Sequence, residues 1–173
     1  MTARTRWIEA DRHWAQVIHG LAAKPAVVTA LALASRLGDG LVWYAAIAVL
    51  PFVGGAQGPA CALQMLGVGV LNLALYRLVK KRVCRTRPCD ACLGIRACTR
   101  ALDEYSFPSG HTLHAVAFSL VLSFHYPVLA WIAWPFVLAI AASRIVLGLH
   151  YPSDVLLGAL MGAISAVGVL LVN

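Results

Sequence analysis

Arg144, His150 and Asp154 sit at a junction where one long apolar segment stops and another begins. Asp154 follows His150 by four residues and Pro152 by two. Proline suits the first helical turn, so a helix opening near Pro152 brings the carboxylate within reach of the imidazole. A carboxylate on one ring nitrogen fixes the tautomer and leaves the other nitrogen free and more basic, as a nucleophile or a base requires. Taken alone, the trio reads as a base, a metal ligand or a capped helix.

Two further clusters narrow the choice. In the stretch 80–88, Lys80 and Arg87 are seven residues apart, so a continuing helix sets them on one face about 10 Å apart along its axis, and Pro88 ends it. Lys81, Arg82 and Arg85 read as snorkelling cations that mark the end of a span. In Phe107-Pro108-Ser109-Gly110-His111-Thr112, Ser109 caps a helix, Gly110 lets a ligand approach the backbone, and the first-turn N–H groups with the helix dipole form an anion site. His111 stands beside whatever binds there, whereas His13, His19, His114 and His125 read as polar interfacial residues. Three cations, a helix N-terminus and two histidines fit phosphoryl transfer, because fixed positive charge and backbone donors neutralise the equatorial oxygens of the transition state. The carboxylates, Glu9, Asp11, Asp39, Asp90, Asp103, Glu104 and Asp154, suggest no metal cluster, so neither a metal nor another cofactor is expected.

The elements that must hold these clusters are membrane helices. The chain has 173 residues, 61% hydrophobic and 12% charged, with mean hydropathy +0.79, too apolar for a soluble domain. No removable signal peptide is evident. Residues 1–24 place Trp7, Trp14, Val17, Ile18 and Leu21 at near-helical spacing against Arg4, Arg6, Glu9, Asp11, Arg12 and Gln16, as in an interfacial amphipathic helix. The remainder, 25–173, divides into apolar segments over 25–37, 41–53, 60–79, 109–126, 129–147 and 152–172. An all-α polytopic protein of six transmembrane helices with an N-terminal amphipathic helix is expected. Gly38-Asp39-Gly40 reads as the turn between the first two spans, which puts the N-terminus on the face opposite the chemistry-bearing clusters. Gly158, Gly162 and Ala166, at four-residue spacing, suit close helix packing.

Fourteen Lys+Arg stand against seven Asp+Glu, and eight of the cations fall between Arg77 and Arg100. This basic run lies between apolar spans without interleaved aromatics, so a phosphate at the membrane surface is its partner rather than nucleic acid. The same loop carries Cys84, Cys89, Cys92 and Cys98, which can form a zinc site or disulfides. Their spacing matches no paired-knuckle pattern, and disulfides of undetermined connectivity are the expectation.

Lys80-x6-Arg87-Pro88, Pro108-Ser109-Gly110-His111 and Ser143-Arg144-x5-His150-x3-Asp154, in that order, resemble the three-part signature of the type-2 phosphatidic acid phosphatase family of integral membrane lipid phosphatases. Vanadium-dependent haloperoxidases share the signature, but they are soluble. The resemblance implies that His150 attacks phosphorus and forms a phosphohistidine, that Asp154 orients it, and that His111 protonates the leaving oxygen and later activates water. It implies that Lys80, Arg87, Arg144, Ser109 and the Gly110 N–H hold the phosphate, without metal.

The expected substrate is a lipid phosphate in the bilayer, with undecaprenyl pyrophosphate first and phosphatidylglycerophosphate or phosphatidic acid next. A lipid-to-lipid phosphotransferase and a non-catalytic lipid-phosphate binding or transport protein are the competing readings. Residence in the cytoplasmic (inner) membrane follows. For sidedness, the count of loop cations favours a cytoplasmic site. The loop cysteines and the family's habit favour the periplasmic or external face, which is the expectation. Oligomeric state is not legible.

Overall fold

A computed structural model describes residues 3–172; Met1, Thr2 and Asn173, and the side chains of Ala3 and Arg4, lie outside it. Among the described residues all regular structure is helical: α1 (Ala3–His19), α2 (Pro25–Gly38), α3 (Leu41–Val53), α4 (Gly58–Val83), the short α5 (Pro88–Ala91), α6 (Gly110–His125), α7 (Ala130–Val146) and α8 (Pro152–Val172). Pro25, Pro88 and Pro152 open their helices, where a missing N–H costs nothing. Three helical stretches are long and apolar enough to cross a bilayer, Gly55–Ala91, Pro127–Val146 and Pro152–Val172. A fourth results if the pair Thr5–Ala23 and Pro25–Gly38, bent by 111°, is one span.

α6 lies at the centre, packed against α4, α7 and α8. Its contact with α8 is close because α8 presents glycine: a Cβ at Gly158 would lie 2.7 Å from Ser109 O, and one at Gly162 2.3 Å from Leu113 O. In lipid, where apolar side chains gain nothing by leaving their surroundings, such close backbone approach is what holds helices together. Beneath the polar end, Trp43, Met65, Val68, Phe118, Val121, Val137 and Ile140 form the buried core.

The start of the chain departs from expectation. His19 donates from Nδ1 to Val146 O (2.8 Å) at the end of α7, Gly38 packs on Ile140, Trp43 stacks on Phe118 and Phe136, and Gly54 O accepts from Tyr126 Oη (2.8 Å). These contacts step steadily down α7 and α6, so α2 and α3 run one after the other in the same direction. Gly38-Asp39-Gly40 is therefore a break inside one descending path, not an outer turn; Gly40, at φ 131, supplies the conformation that ends α2 and restarts the chain as α3.

α1 likewise lies on the same face as the signature residues, not opposite them. Its inner face carries Asp11, Ala15 and His19, and Ala15 is buried with Ile95 and Tyr151. The outer face leaves Trp7 and Trp14 exposed, as an interfacial helix requires. His19 is thus a buried staple, its Nε2 accepting from Arg96 N (3.2 Å), rather than an interfacial residue.

Candidate active site

The turn between α7 and α8 places His150. The N–H groups of Leu149 and His150 both donate to Arg144 O (3.1 and 3.0 Å), folding the chain back on the last turn of α7. Gly148 makes this turn at φ 77, and a Cβ there would lie 2.4 Å from Arg96 O. The cysteine loop grips the same turn through Cys89 N to Gly148 O (3.2 Å) and Cys98 N to Leu147 O (3.0 Å). His150 emerges buried, with Nδ1 3.7 Å from Asp154 Oδ2, a contact longer than a hydrogen bond. Its Nε2 faces Arg87 Nη1 at 3.4 Å and must accept there, which assigns the proton to Nδ1 on the Asp154 side. Burial pushes the imidazole down to about 3; Asp154 pulls the other way, while the charges of Arg144 and Arg87 reinforce the shift. A neutral ring with its Nε2 lone pair toward the cavity is the form a nucleophile needs.

The cations converge by a different route from the expected helix. α4 stops at Val83, Cys84 takes a left-handed conformation (φ 48), and Arg87 is reached through extended chain just before α5. Lys80 and Arg87 are therefore not neighbours on one helical face. They meet because both bind Asp103, with Lys80 Nζ and Arg87 Nη2 each 2.5 Å from Oδ1. Arg87 also donates to Asp103 O (Nη2, 3.0 Å) and Leu149 O (Nη1, 2.7 Å), and Tyr76 Oη donates to Asp103 Oδ2. Burial alone would raise the Asp103 carboxyl, but hydrogen bonds from Lys80 and Tyr76 and the charges of Lys80 and Arg87 hold it below the usual carboxylate range. Arg144 reaches Ser35 Oγ with Nη1 (2.5 Å), while its buried Nε has no partner.

At the start of α6, His111 meets Asp39 through Nε2, so the helix break between α2 and α3 delivers a carboxylate to the second histidine. His114, one turn on, also lines the cavity, its Nδ1 donating to Gly110 O (2.9 Å). Ser109 occupies the N-cap position, yet its hydroxyl pairs with Thr112 Oγ1 (3.0 Å) and its N–H donates to Asp154 O (3.0 Å). It ties the starts of α6 and α8 together and does not line the cavity, which departs from its expected place on the phosphate.

Lys80, Arg87, Gly110, His111, Arg144 and His150 share one cavity of about 330 Å³. Its polar end also holds Asp39, Tyr76 and Asp103, and it continues down an apolar wall of Trp43, Ile47, Met65, Leu66, Val70 and Leu73 from α3 and α4. Sequence reasoning missed Tyr76, Asp103 and His114 and set Asp39 aside at a membrane face. For Asp39 the flanking glycines were the available signal; Asp103 lies in a loop with none. The expected disulfides are not formed. Cys84 Sγ turns to Lys81 O (3.2 Å), Cys92 Sγ to Tyr151 Oη (3.6 Å) and Cys98 Sγ to Arg96 O (3.8 Å), and all five cysteines are free thiols.

The profile of the PAP2 superfamily matches residues 61–173. The chain is 32% identical over 143 residues to a decaprenylphosphoryl-5-phosphoribose phosphatase of Mycolicibacterium smegmatis, covering 80% of this chain and 74% of that one. It is 38% identical over 63 residues to the bacitracin transport permease protein BcrC of Bacillus licheniformis, covering 36% of this chain and 31% of that one. Among solved structures, a transmembrane PAP2 type phosphatidylglycerolphosphate phosphatase from Bacillus subtilis superposes with TM-score 0.74 at 24% identity, over 97% of this chain and 85% of that one. LpxE of Aquifex aeolicus superposes with TM-score 0.75 at 25% identity, over 91% and 93%.

Proposed function

Because the chain belongs to the PAP2 superfamily, we propose that it is an integral membrane lipid phosphatase working through a phosphohistidine at His150. The observation that carries the proposal is the convergence of the His150 Nε2 lone pair, three buried cations and His111 on one cavity whose far wall is apolar. Lys80, Arg87 and Arg144 bind the phosphate oxygens and spread the charge of the transition state. The Nε2–P bond forms as the ester or anhydride P–O bond breaks, and the departing oxygen takes a proton from His111, whose ring Asp39 holds. Water then adds to phosphorus, His111 accepts its proton, the N–P bond breaks, and orthophosphate leaves. Asp154 faces Nδ1–H and stabilises the charge the ring acquires. The three cations and the α6 N-terminus supply the neutralisation that a metal gives elsewhere, so the reaction needs no metal.

A cavity with an anion-binding end and a wall of Trp43, Ile47, Met65, Leu66 and Val70 suits a lipid whose headgroup phosphate meets the cations while its tail lies against α3 and α4. The mycolicibacterial relative is a decaprenylphosphoryl-5-phosphoribose phosphatase, which supports a polyprenyl tail, and undecaprenyl pyrophosphate is one such substrate. Three helical stretches, built on α4, α7 and α8, are long and apolar enough by themselves to span a bilayer; counting α6 and the descending α2–α3 path with them gives five crossings as our reading, where six were expected. All fourteen Lys and Arg then lie in α1, at the α1–α2 corner, in the last turn of α2, or between Arg77 and Arg144, and the far turns at 54–57 and 126–129 carry none. With the N-terminal cations moved to the catalytic side, the positive-inside rule supports a cytoplasmic site, against the periplasmic or external face expected from the loop cysteines and the family's habit.

Phosphate release by purified protein in detergent with EDTA tests the activity. The panel is undecaprenyl pyrophosphate, decaprenylphosphoryl-5-phosphoribose, phosphatidylglycerophosphate and phosphatidic acid, with wild type beside His150→Ala. Release from a polyprenyl substrate that persists in EDTA and vanishes in the variant is the expected result. Near-normal release by His150→Ala defeats the nucleophile assignment, and loss in EDTA restored by a divalent cation defeats metal independence.

A further inference from the structure

Asp154 is fully buried, and a buried carboxylate is tolerated only when donors surround both oxygens. Oδ2 accepts from Tyr151 N (2.9 Å) and faces His150. Oδ1 accepts from Arg85 Nη1 at 2.7 Å. Arg85 is itself held on three sides: Nη1 also reaches Ser153 Oγ (2.7 Å), Nη2 binds Asp11 Oδ2 (2.6 Å), and the guanidinium stacks on the Tyr151 ring 3.8 Å from its centroid. Asp11 completes the circuit by accepting from Ser153 N (3.0 Å) and Ser153 Oγ (2.5 Å), so a carboxylate from α1 caps the first turn of α8, where N–H groups lack helical partners. The face of α1 that supplies Asp11 also buries Ala15 and pins His19 to Val146, and α1 lies outside the segment that matches the superfamily profile.

We infer that α1 supports the catalytic centre through one residue: Asp11 of α1 and Arg85 of the loop after α4 act as positioning residues that hold Asp154, and through it His150, in register. The inference rests on the proposed role of Asp154 as support for the nucleophile. Arginine suits position 85 because its rigid fork presents separate N–H groups to Asp154 (Nη1) and Asp11 (Nη2), a fixed spacing that a single ammonium nitrogen reproduces less well. Arg85 therefore does more than mark the end of a span, and the N-terminal helix does more than lie on the membrane.

The test is steady-state kinetics on purified protein in detergent for Asp11→Asn, Arg85→Lys, Arg85→Gln, the double variant Asp11→Asn/Arg85→Gln, Asp154→Asn and Gln16→Ala. Gln16 docks α1 on Leu93 O (3.0 Å) without touching the relay, so its variant reports on docking alone. Expected is a kcat lowered about tenfold in Arg85→Gln with KM within about twofold, a partial recovery in Arg85→Lys, and a double variant whose loss is smaller than the sum of the two single losses, since Asp11 and Arg85 act on the same carboxylate. Gln16→Ala keeps wild-type kcat. Unchanged kcat in Asp11→Asn and Arg85→Lys while Asp154→Asn is slow overturns the relay, as does an equal loss in Gln16→Ala or additive losses in the double variant. If Arg85→Gln does not fold, Asp11→Asn, an isosteric change, and Arg85→Lys decide the question by the same criteria. Normal turnover in Asp154→Asn would instead remove the reading on which the relay rests.

Discussion

Asp103 carries the sharpest prediction at the scale of single residues. Its carboxylate takes one donor each from Lys80, Arg87 and Tyr76, so it competes with a phosphate for the two cations. Asp103→Asn removes that negative charge and leaves both cations their full attraction for an anion. Orthophosphate should then inhibit several-fold more tightly, and a product-inhibition constant equal to or weaker than wild type would show that Asp103 organises the cations instead of competing for them. His150 sets an acid limit on stability. An unfolded imidazole takes its proton near 6.5, whereas in the folded protein burial delays protonation to about 3. Between those values the unfolded chain binds the additional proton, so stability present at neutral pH falls as pH drops, by at most about 1.4 kcal/mol per pH unit for this one group. Asp103, held low in the folded state, adds to the loss below the ordinary carboxylate range. Thermal melting in detergent from pH 7 to pH 4 should therefore fall more steeply for wild type than for His150→Gln, and parallel curves would contradict this account.

Among the helices, α6 and α8 set the spacing of the two histidines, because His111 opens one and Asp154 lies in the first turn of the other. Their approach depends on Gly162, whose Cβ position is 2.3 Å from Leu113 O, a backbone atom that cannot yield without moving α6. Gly162→Val should cost about 1–3 kcal/mol through overpacking and lower the melting temperature. Gly168→Ala, in open space on the same helix, should leave it unchanged. Equal melting of both variants would argue that α6 and α8 are not held by this contact. The small-residue spacing on α8 was legible in the sequence because helical periodicity alone puts residues 158, 162 and 166 on one face. The break between α2 and α3 was legible only as a glycine-rich interruption, since whether a chain turns back or continues past such a point depends on what packs on either side.

For the whole molecule, the new position of α1 turns sidedness into a direct experiment. Cys84 is exposed at the catalytic end and Gln57 is exposed at the far end. In intact cells an impermeant thiol reagent should label a Gln57→Cys variant and should reach Cys84 only after lysis; the reverse pattern would put the site outside. An all-helical membrane fold and most of the residues that line the cavity were legible in the sequence by itself, because hydropathy and the positions of Lys80, Arg87, His111, Arg144 and His150 are local properties of the chain. The tertiary structure alone decided which carboxylates attend those groups. Asp39, Asp103 and Asp11 come from three separate segments with no shared spacing, and only packing brings them to His111, to the two cations and to Arg85. It also moved Ser109 off the cavity and folded α1 onto the catalytic face, since a buried hydroxyl takes the nearest partner and an amphipathic helix settles on whichever surface its buried face fits.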